Sequence, residues 1–210
     1  ARSIYGVARV AAVKAGRMRV EDVRDYIAKQ LADEAVPQQE KIALVWDLLS
    51  VKAYDAVLPA LETLVREGKR EFVELYAAAL GGVRDKKQLR ALLEREIKDT
   101  AERTKLLALA SVAFGESMFD LARPAYLRIL KEDPKNLDAL KRLGQMAMWR
   151  NDSDPGAARR YLEAFVANGG DDYQIDFLLG EVIIHFPDWQ RATPHFQRAL
   201  AKIVKLEKPS

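Results

Sequence analysis

Cysteine is absent from this 210-residue chain, and histidine occurs only twice. Without cysteine the chain has no disulfide bonds, no thiolate metal ligands and no cysteine nucleophile. The two histidines, His185 and His195, lack the His-x-x-x-His or Glu-x-x-His spacing with which helices bind metal ions. The sequence therefore predicts neither a metal site nor a cofactor.

An excess of charge of one sign is also missing. The 34 Lys and Arg residues nearly balance the 31 Asp and Glu residues, which leaves a net charge of +3. The signs alternate along the chain, as in Glu94-Arg95-Glu96, and such alternation is typical of a solvated helix surface. A nucleic-acid-binding protein concentrates basic residues on one face. We therefore expect no nucleic-acid partner.

Long hydrophobic runs do not occur. A membrane-spanning helix needs about 18 or more consecutive apolar residues, so we expect no membrane span in this segment. The chain begins with Ala1-Arg2-Ser3, without Met and without a signal peptide, which suggests a segment of a longer protein. The cellular compartment is not determined, although a cysteine-free composition fits the bacterial periplasm somewhat better than the cytosol.

Catalytic motifs are missing as well. Gly81-Gly82 lacks the spacing of a phosphate-binding loop, and we expect it to lie in a short turn between two helices. The sequence contains no G-x-S-x-G motif. Asp152-Ser153-Asp154 resembles the start of a calcium loop, but Pro155-Gly156 breaks the required register. We therefore predict that the chain is not an enzyme.

What the chain does contain is a helical repeat. Ala, Leu, Arg, Lys and Glu dominate, and no run alternates as a strand does, so the fold class is all-α. Three alanines stand 35 residues apart, each with an aromatic residue four positions later: Ala122 and Tyr126, Ala157 and Tyr161, Ala192 and Phe196. Each alanine follows a pair that ends in a small residue: Leu109-Ala110, Leu143-Gly144, Leu179-Gly180. The small residues allow close approach of two helices, and the aromatics fill the space beside them.

This pattern resembles the tetratricopeptide repeat, most strongly over residues 103–206. The resemblance implies a right-handed superhelical solenoid of about six antiparallel helix pairs, forming a single domain over residues 1–210. The approximate repeat units are 2–36, 38–70, 71–102, 103–136, 137–172 and 173–206. In three of them an aromatic residue occupies the turn between the two helices: Tyr54, Phe119 and Trp189.

Local turn chemistry agrees with these boundaries. Asp154-Pro155 is typical of a helix N-cap followed by proline in the first turn. Asn168-Gly169-Gly170 supplies residues that tolerate the left-handed conformation after a helix end. The turn at residues 150–154 is one residue longer than usual, and we expect it to protrude.

In this family the first helices of the pairs line a concave groove that holds a protein or peptide partner. Carried over by register, the predicted groove residues are Trp46, Phe114, Asp138, Lys141, Gln145, Trp149, Phe177, Glu181 and His185. Their mixture of aromatic and polar side chains suits an extended peptide or an amphipathic helix. The alternative is that the aromatics belong to the core, where large side chains usually lie.

The sequence leaves three functions open. The first is a non-catalytic scaffold for protein–protein interaction, similar in style to the repeat regions of bacterial envelope assembly or exopolysaccharide secretion proteins. The second is a regulatory or docking module attached to an enzyme elsewhere in a longer chain. The third is a polysaccharide-binding solenoid that stacks sugars on Trp46, Trp149 and Trp189. The oligomeric state is not indicated.

Overall fold

The structure is a computed structural model that describes residues 2–149, 153–187 and 189–207. Over these residues the chain forms twelve α-helices and two short 3-10 turns, Arg70–Phe72 and Trp189–Arg191, and no strand. The helices are α1 (Arg2–Lys14), α2 (Val20–Ala32), α3 (Gln38–Ser50), α4 (Tyr54–Arg66), α5 (Val73–Val83), α6 (Lys86–Asp99), α7 (Arg103–Gly115), α8 (Phe119–Glu132), α9 (Leu137–Ala147), α10 (Pro155–Ala167), α11 (Tyr173–Ile184) and α12 (Ala192–Glu207). The predicted fold class, an all-α fold of tetratricopeptide-like helix pairs, is confirmed.

The chain divides into two compact units, residues 1–100 and 101–210. In each unit, consecutive helices pack as pairs: α1 with α2, α3 with α4 and α5 with α6 in the first, then α7 with α8, α9 with α10 and α11 with α12 in the second. The last helix of one pair also contacts the first helix of the next, α4 with α5 in the first unit and α8 with α9 and α10 with α11 in the second. The prediction of one domain with six repeat units stays a prediction.

Helix ends follow from local hydrogen bonding. The Asp154 side chain accepts a hydrogen bond from the Ala157 amide at 2.8 Å, which confirms the N-cap expected before Pro155. Asp85, Asn136 and Asp172 cap α6, α9 and α11 in the same way. These caps satisfy amide groups that have no partner within the helix. Of the turn expected to protrude, residues 150–152 lie outside the described residues.

The expectation that Gly81-Gly82 forms a turn is wrong. Both glycines lie inside α5, and the helix ends instead at Arg84, whose φ of 62° is left-handed. A Cβ atom on Gly82 would come within 2.4 Å of the Tyr54 ring, so this glycine allows the start of α4 to approach α5. The glycine is needed here for close helix packing and not for chain reversal. A glycine pair in a sequence is compatible with either role.

Aromatic residues mark the start of the second helix in three pairs. Tyr54 begins α4, Phe119 begins α8, and Trp189 begins the 3-10 turn that precedes α12. Each stands five residues before a proline, at positions 59, 124 and 194. This shared pattern extends the repeat into the first unit, where alanine and glycine spacing alone is less regular.

The core of the second unit forms where α10 meets α11. Leu162, Ile175 and Val182 are fully buried there, with Phe165 and Leu179 nearly so. Tyr126 on α8 is also fully buried, and its hydroxyl shares a hydrogen bond of 3.2 Å with the Ser111 hydroxyl on α7. The aromatic residue of the repeat pattern therefore joins the two helices of its pair.

Candidate partner-binding surface

Most of the predicted groove residues are exposed to solvent. Trp46 on α3 of the first unit has 54% of its surface exposed, as has Trp149 just after α9 in the second unit, and Phe177 on α11 has 48%. Asp138, Glu181 and His185 are exposed, whereas Phe114, Lys141 and Gln145 are half-buried. The three large aromatics that the sequence could equally have placed in the core are therefore accessible. Their membership of a binding groove stays a prediction.

Four side chains of the second unit form a connected aromatic surface: Phe114, Phe119, Arg142 and Trp149. The Trp149 ring meets the Phe119 ring edge-on, with centroids 5.0 Å apart, and Phe119 lies 5.6 Å from Phe114. The Arg142 guanidinium covers the Phe114 ring at 4.5 Å. Edge-on aromatic pairs and a cation over a ring are each worth about 0.5–1.5 kcal/mol. These contacts hold Trp149 in place although half of it faces water.

Sequence reasoning found only part of the aromatic surface. The repeat pattern places Phe119 in the turn between the helices of its pair, and it does not indicate Arg142. The two belong to different helix pairs, and only the packing of α9 beside α7 and α8 brings Arg142 onto Phe114. Arg142 also donates a hydrogen bond to Gln145 Oε1 at 3.0 Å. The sequence signal for Arg142 is its position three residues before Gln145, a predicted groove residue, and this signal is weak.

Lys141, another predicted groove residue, is engaged within the unit. Its ammonium group forms a salt bridge with the Asp172 carboxylate at the start of α11, and the side chains of both are largely buried. Burial alone would raise the pKa of Asp172, but the hydrogen bonds from Lys141 and from the backbone amides of Gln174 and Ile175 outweigh it and lower that pKa. Lys141 therefore connects α9 to α11 and offers a partner little positive charge.

Replacing Asp172 by asparagine tests this connection. Asparagine still caps α11, so the change removes mainly the ion pair, and we expect the free energy of unfolding at pH 7 to fall by about 1–2 kcal/mol. Because the pKa of Asp172 is lower in the folded state, its stabilisation is present above about pH 4 and is lost as the pH falls through the folded value. Urea unfolding at pH 7 and pH 3 measures the difference, which should shrink at low pH. A deficit that is equal at both values would contradict the ionic role.

A buried ion network that the sequence pattern does not indicate connects α11 to α12. Asp176 has only 3% of its surface exposed, and it accepts hydrogen bonds from Arg198 at 3.2 Å and Lys202 at 2.6 Å, both on α12. A buried carboxylate is stable only when it is paired in this way. The network holds α12 to α11, so Arg198 is a structural residue despite its exposure.

The two histidines have separate surroundings. His195 Nδ1 lies 2.5 Å from an Arg198 guanidinium nitrogen. Burial lowers the pKa of the His195 imidazole, and the positive charge of Arg198 lowers it further. His185 is exposed at the end of α11. Within the described ranges no cluster of three His, Asp or Glu side chains is arranged to hold a metal ion. None of the helices in those ranges is long and apolar enough to cross a membrane.

The comparisons with known proteins agree with this architecture. The family model for the tetratricopeptide repeat matches residues 107–153 and 150–203. These matches lie within residues 103–206 and confirm the resemblance to the tetratricopeptide repeat noted there. Members of this class are generally non-catalytic and bind protein partners, which supports an interaction scaffold. No curated protein matches the chain in sequence.

Among solved structures the chain is similar to MamA. The structure described as the MamA RS-1 ArsTM double mutant has a TM-score of 0.67 and 15% identity, and the match covers 86% of this chain and 97% of that one. MamA AMB-1 in a C2221 crystal has a TM-score of 0.59 and 16% identity over 75% of this chain and 93% of that one. MamA AMB-1 in a P212121 crystal has a TM-score of 0.53 and 15% identity over 99% and 94%. Identities this low show the fold alone.

Proposed function

We propose that the second unit is a non-catalytic scaffold that binds an amphipathic segment of a partner protein on the aromatic surface. The observation that carries this proposal is the exposure of Trp149, whose ring is oriented by Phe119 and yet has 54% of its surface in contact with water. An oriented, exposed tryptophan loses little conformational freedom on binding, and tryptophan is prominent among residues that dominate interface energies.

The charges on α9 and α11, the first helices of two successive pairs, define the partner more closely. Asp138 on α9 and Glu181 on α11 are exposed and negative. The positive charge of Lys141 is balanced by Asp172, and Arg142 over the Phe114 ring contributes one positive charge, so the two exposed carboxylates leave a net negative charge among these residues. A segment with an apolar face and basic residues on its flanks would therefore complement this part of the unit. Because the whole chain has a net charge of +3, general electrostatic attraction would not produce such binding.

The test uses a blocked amphipathic peptide of leucine and lysine, a leucine and glutamine peptide of equal length, and fluorescence of a label on each. We expect the leucine and lysine peptide to bind the wild-type chain more tightly than the leucine and glutamine peptide does. Trp149→Ala should weaken binding of the leucine and lysine peptide. Trp189→Ala is the matched control, because Trp189 is 61% exposed but lies outside the aromatic surface. Equal binding of the basic peptide to wild type and Trp149→Ala would contradict the proposal.

Polysaccharide binding is the second candidate function, and the effect of Trp189→Ala distinguishes it from the first. Trp46, Trp149 and Trp189 are all more than half exposed, as sugar-stacking platforms must be. In that case glycan binding would weaken in Trp189→Ala as well as in Trp149→Ala. A role in bacterial envelope assembly or exopolysaccharide secretion, and attachment to an enzyme, stay predictions that the neighbouring parts of a longer gene product would test.

A further inference from the structure

The first unit contains a cavity of about 540 Å³ that the predicted groove does not include. Its walls come from the second helices α4 and α6, from α5 and from the 3-10 turn at Arg70–Phe72. Val65, Val73 and Leu92 form an apolar part of the lining. This volume is within the range of about 300–1,000 Å³ typical of sites that hold small ligands or peptide side chains.

Three arginines and two glutamates also line the cavity. Glu96 has only 7% of its surface exposed, and its carboxylate lies between Arg95, at 2.9 Å, and Arg70, at 3.6 Å. Arg66 contacts the second glutamate, Glu62, at 2.5 Å. A buried carboxylate requires partners, and here it orients two guanidinium groups whose side chains remain more than half exposed. Such exposed guanidiniums can bind an anion without a large loss of hydration.

The balance of charge indicates what kind of anion fits. Three guanidiniums against two carboxylates leave one positive charge, and the described residues lining the cavity include no third carboxylate. A singly charged carboxylate would neutralise the cavity, whereas a dianionic phosphate would add a second charge beside Glu62 and Glu96. The planar guanidinium fork suits a carboxylate, which it can bind through two parallel hydrogen bonds.

Neutral polar groups complete the cavity. The Tyr76 hydroxyl donates a hydrogen bond to Gln88 Oε1 at 3.3 Å. Burial raises the pKa of Tyr76, so its phenol is uncharged at neutral pH and adds no negative charge. Together with the apolar lining, these groups suit a ligand that carries apolar atoms next to its carboxylate.

We infer that this cavity binds an aspartate or glutamate side chain of an acidic, partly apolar peptide segment. The site uses the second helices of its pairs, and it shares no residue with the aromatic surface of the second unit. It therefore gives the chain a second docking position of opposite charge preference.

A blocked peptide of alternating leucine and glutamate is the probe, and its leucine and glutamine counterpart is the neutral comparison. Calorimetric titration of the full chain should show binding of the acidic peptide at least about tenfold tighter than binding of the neutral one. Arg66→Gln removes one exposed guanidinium and should weaken binding of the acidic peptide by about tenfold. Arg66 is 78% exposed, so the fold should persist, as circular dichroism would verify.

Arg90→Gln is the matched control, because Arg90 lies on α6 like Arg95 but does not line the cavity. It should leave the affinity unchanged, and so should Trp149→Ala, which separates this site from the proposed partner surface. Equal affinity for the acidic and neutral peptides, or an equal loss in Arg66→Gln and Arg90→Gln, would overturn the assignment. Displacement of the acidic peptide by an equal concentration of inorganic phosphate would also overturn it, since the site would then be a general anion site.

Discussion

Replacing Gly144 by leucine is expected to lower the free energy of unfolding by about 3 kcal/mol, the upper end of the range for overpacked cores. A Cβ atom at this position would lie 2.3 Å from Cδ2 and 2.7 Å from Cγ of Leu162. Leu162 is fully buried on α10, so it has no open space into which it can move. Urea unfolding followed by circular dichroism measures the effect. A variant as stable as the parent would show that α9 and α10 do not pack in this register.

Gly115→Leu provides the matched control for this prediction. Gly115 ends α7, and a Cβ atom there would meet nothing within 4 Å. Its stability should stay within about 1 kcal/mol of the parent. Gly180→Leu should lie between the two, since its Cβ would come within 2.6 Å of the Phe196 ring, which is only half-buried and can shift outward. The loss in free energy of unfolding should therefore be largest for Gly144→Leu, intermediate for Gly180→Leu and smallest for Gly115→Leu.

The combined change Trp149→Ala and Phe177→Ala is expected to have the largest effect on binding. Truncating an aromatic residue that becomes buried in an interface commonly reduces the binding free energy by about 2 kcal/mol or more. This corresponds to a loss of roughly thirtyfold in affinity for each residue. Trp149 belongs to the aromatic surface, and Phe177, which is about half exposed on α11 in the next helix pair, is the predicted groove residue to which the same partner would extend. Titration of the basic amphipathic peptide, with circular dichroism as a check on folding, measures the loss.

Arg198→Ala is not a suitable control for this double variant. Arg198 is exposed, but it pairs with the buried Asp176, and its loss would disturb α12. Trp189→Ala avoids this problem and matches the chemistry of the change. Phe177 meets Phe196 with centroids 5.5 Å apart, so a modest fall in stability is expected on truncation. Complete unfolding would mean that the aromatics are core, and unchanged binding would move the partner to another surface.

Much of the fold was predictable because its determinants are local. Asp154 caps the start of α10 and Pro155 suits its first turn, and the spacing of Ala122, Tyr126 and their later equivalents indicates which faces of the helices pack. The turn predicted at Gly81-Gly82 is wrong because local sequence is ambiguous there. Glycine is compatible both with a turn and with close helix packing, and only the position of Tyr54 distinguishes them.

The candidate site was predictable only in part. Register identified Trp149 and Phe177 as exposed positions, because a helix places every third or fourth residue on one face. It did not identify the edge-on contact of Trp149 with Phe119, nor the position of Arg142 over Phe114, because these contacts join residues of different helix pairs. Lys141 shows the same limit, since its charge is balanced by Asp172, which is distant in sequence.

The sequence by itself determined the all-α class, the helix pairs and the resemblance of residues 107–203 to the tetratricopeptide repeat, because periodicity, capping and small–aromatic spacing act within one or two turns of helix. Only the tertiary structure decided how charges and aromatic rings are shared between helices. Glu96 between Arg70 and Arg95, and Asp176 between Arg198 and Lys202, have partners that depend on helix packing. The energy of a charge depends on its burial and its neighbours, and neither is a property of its position in the chain.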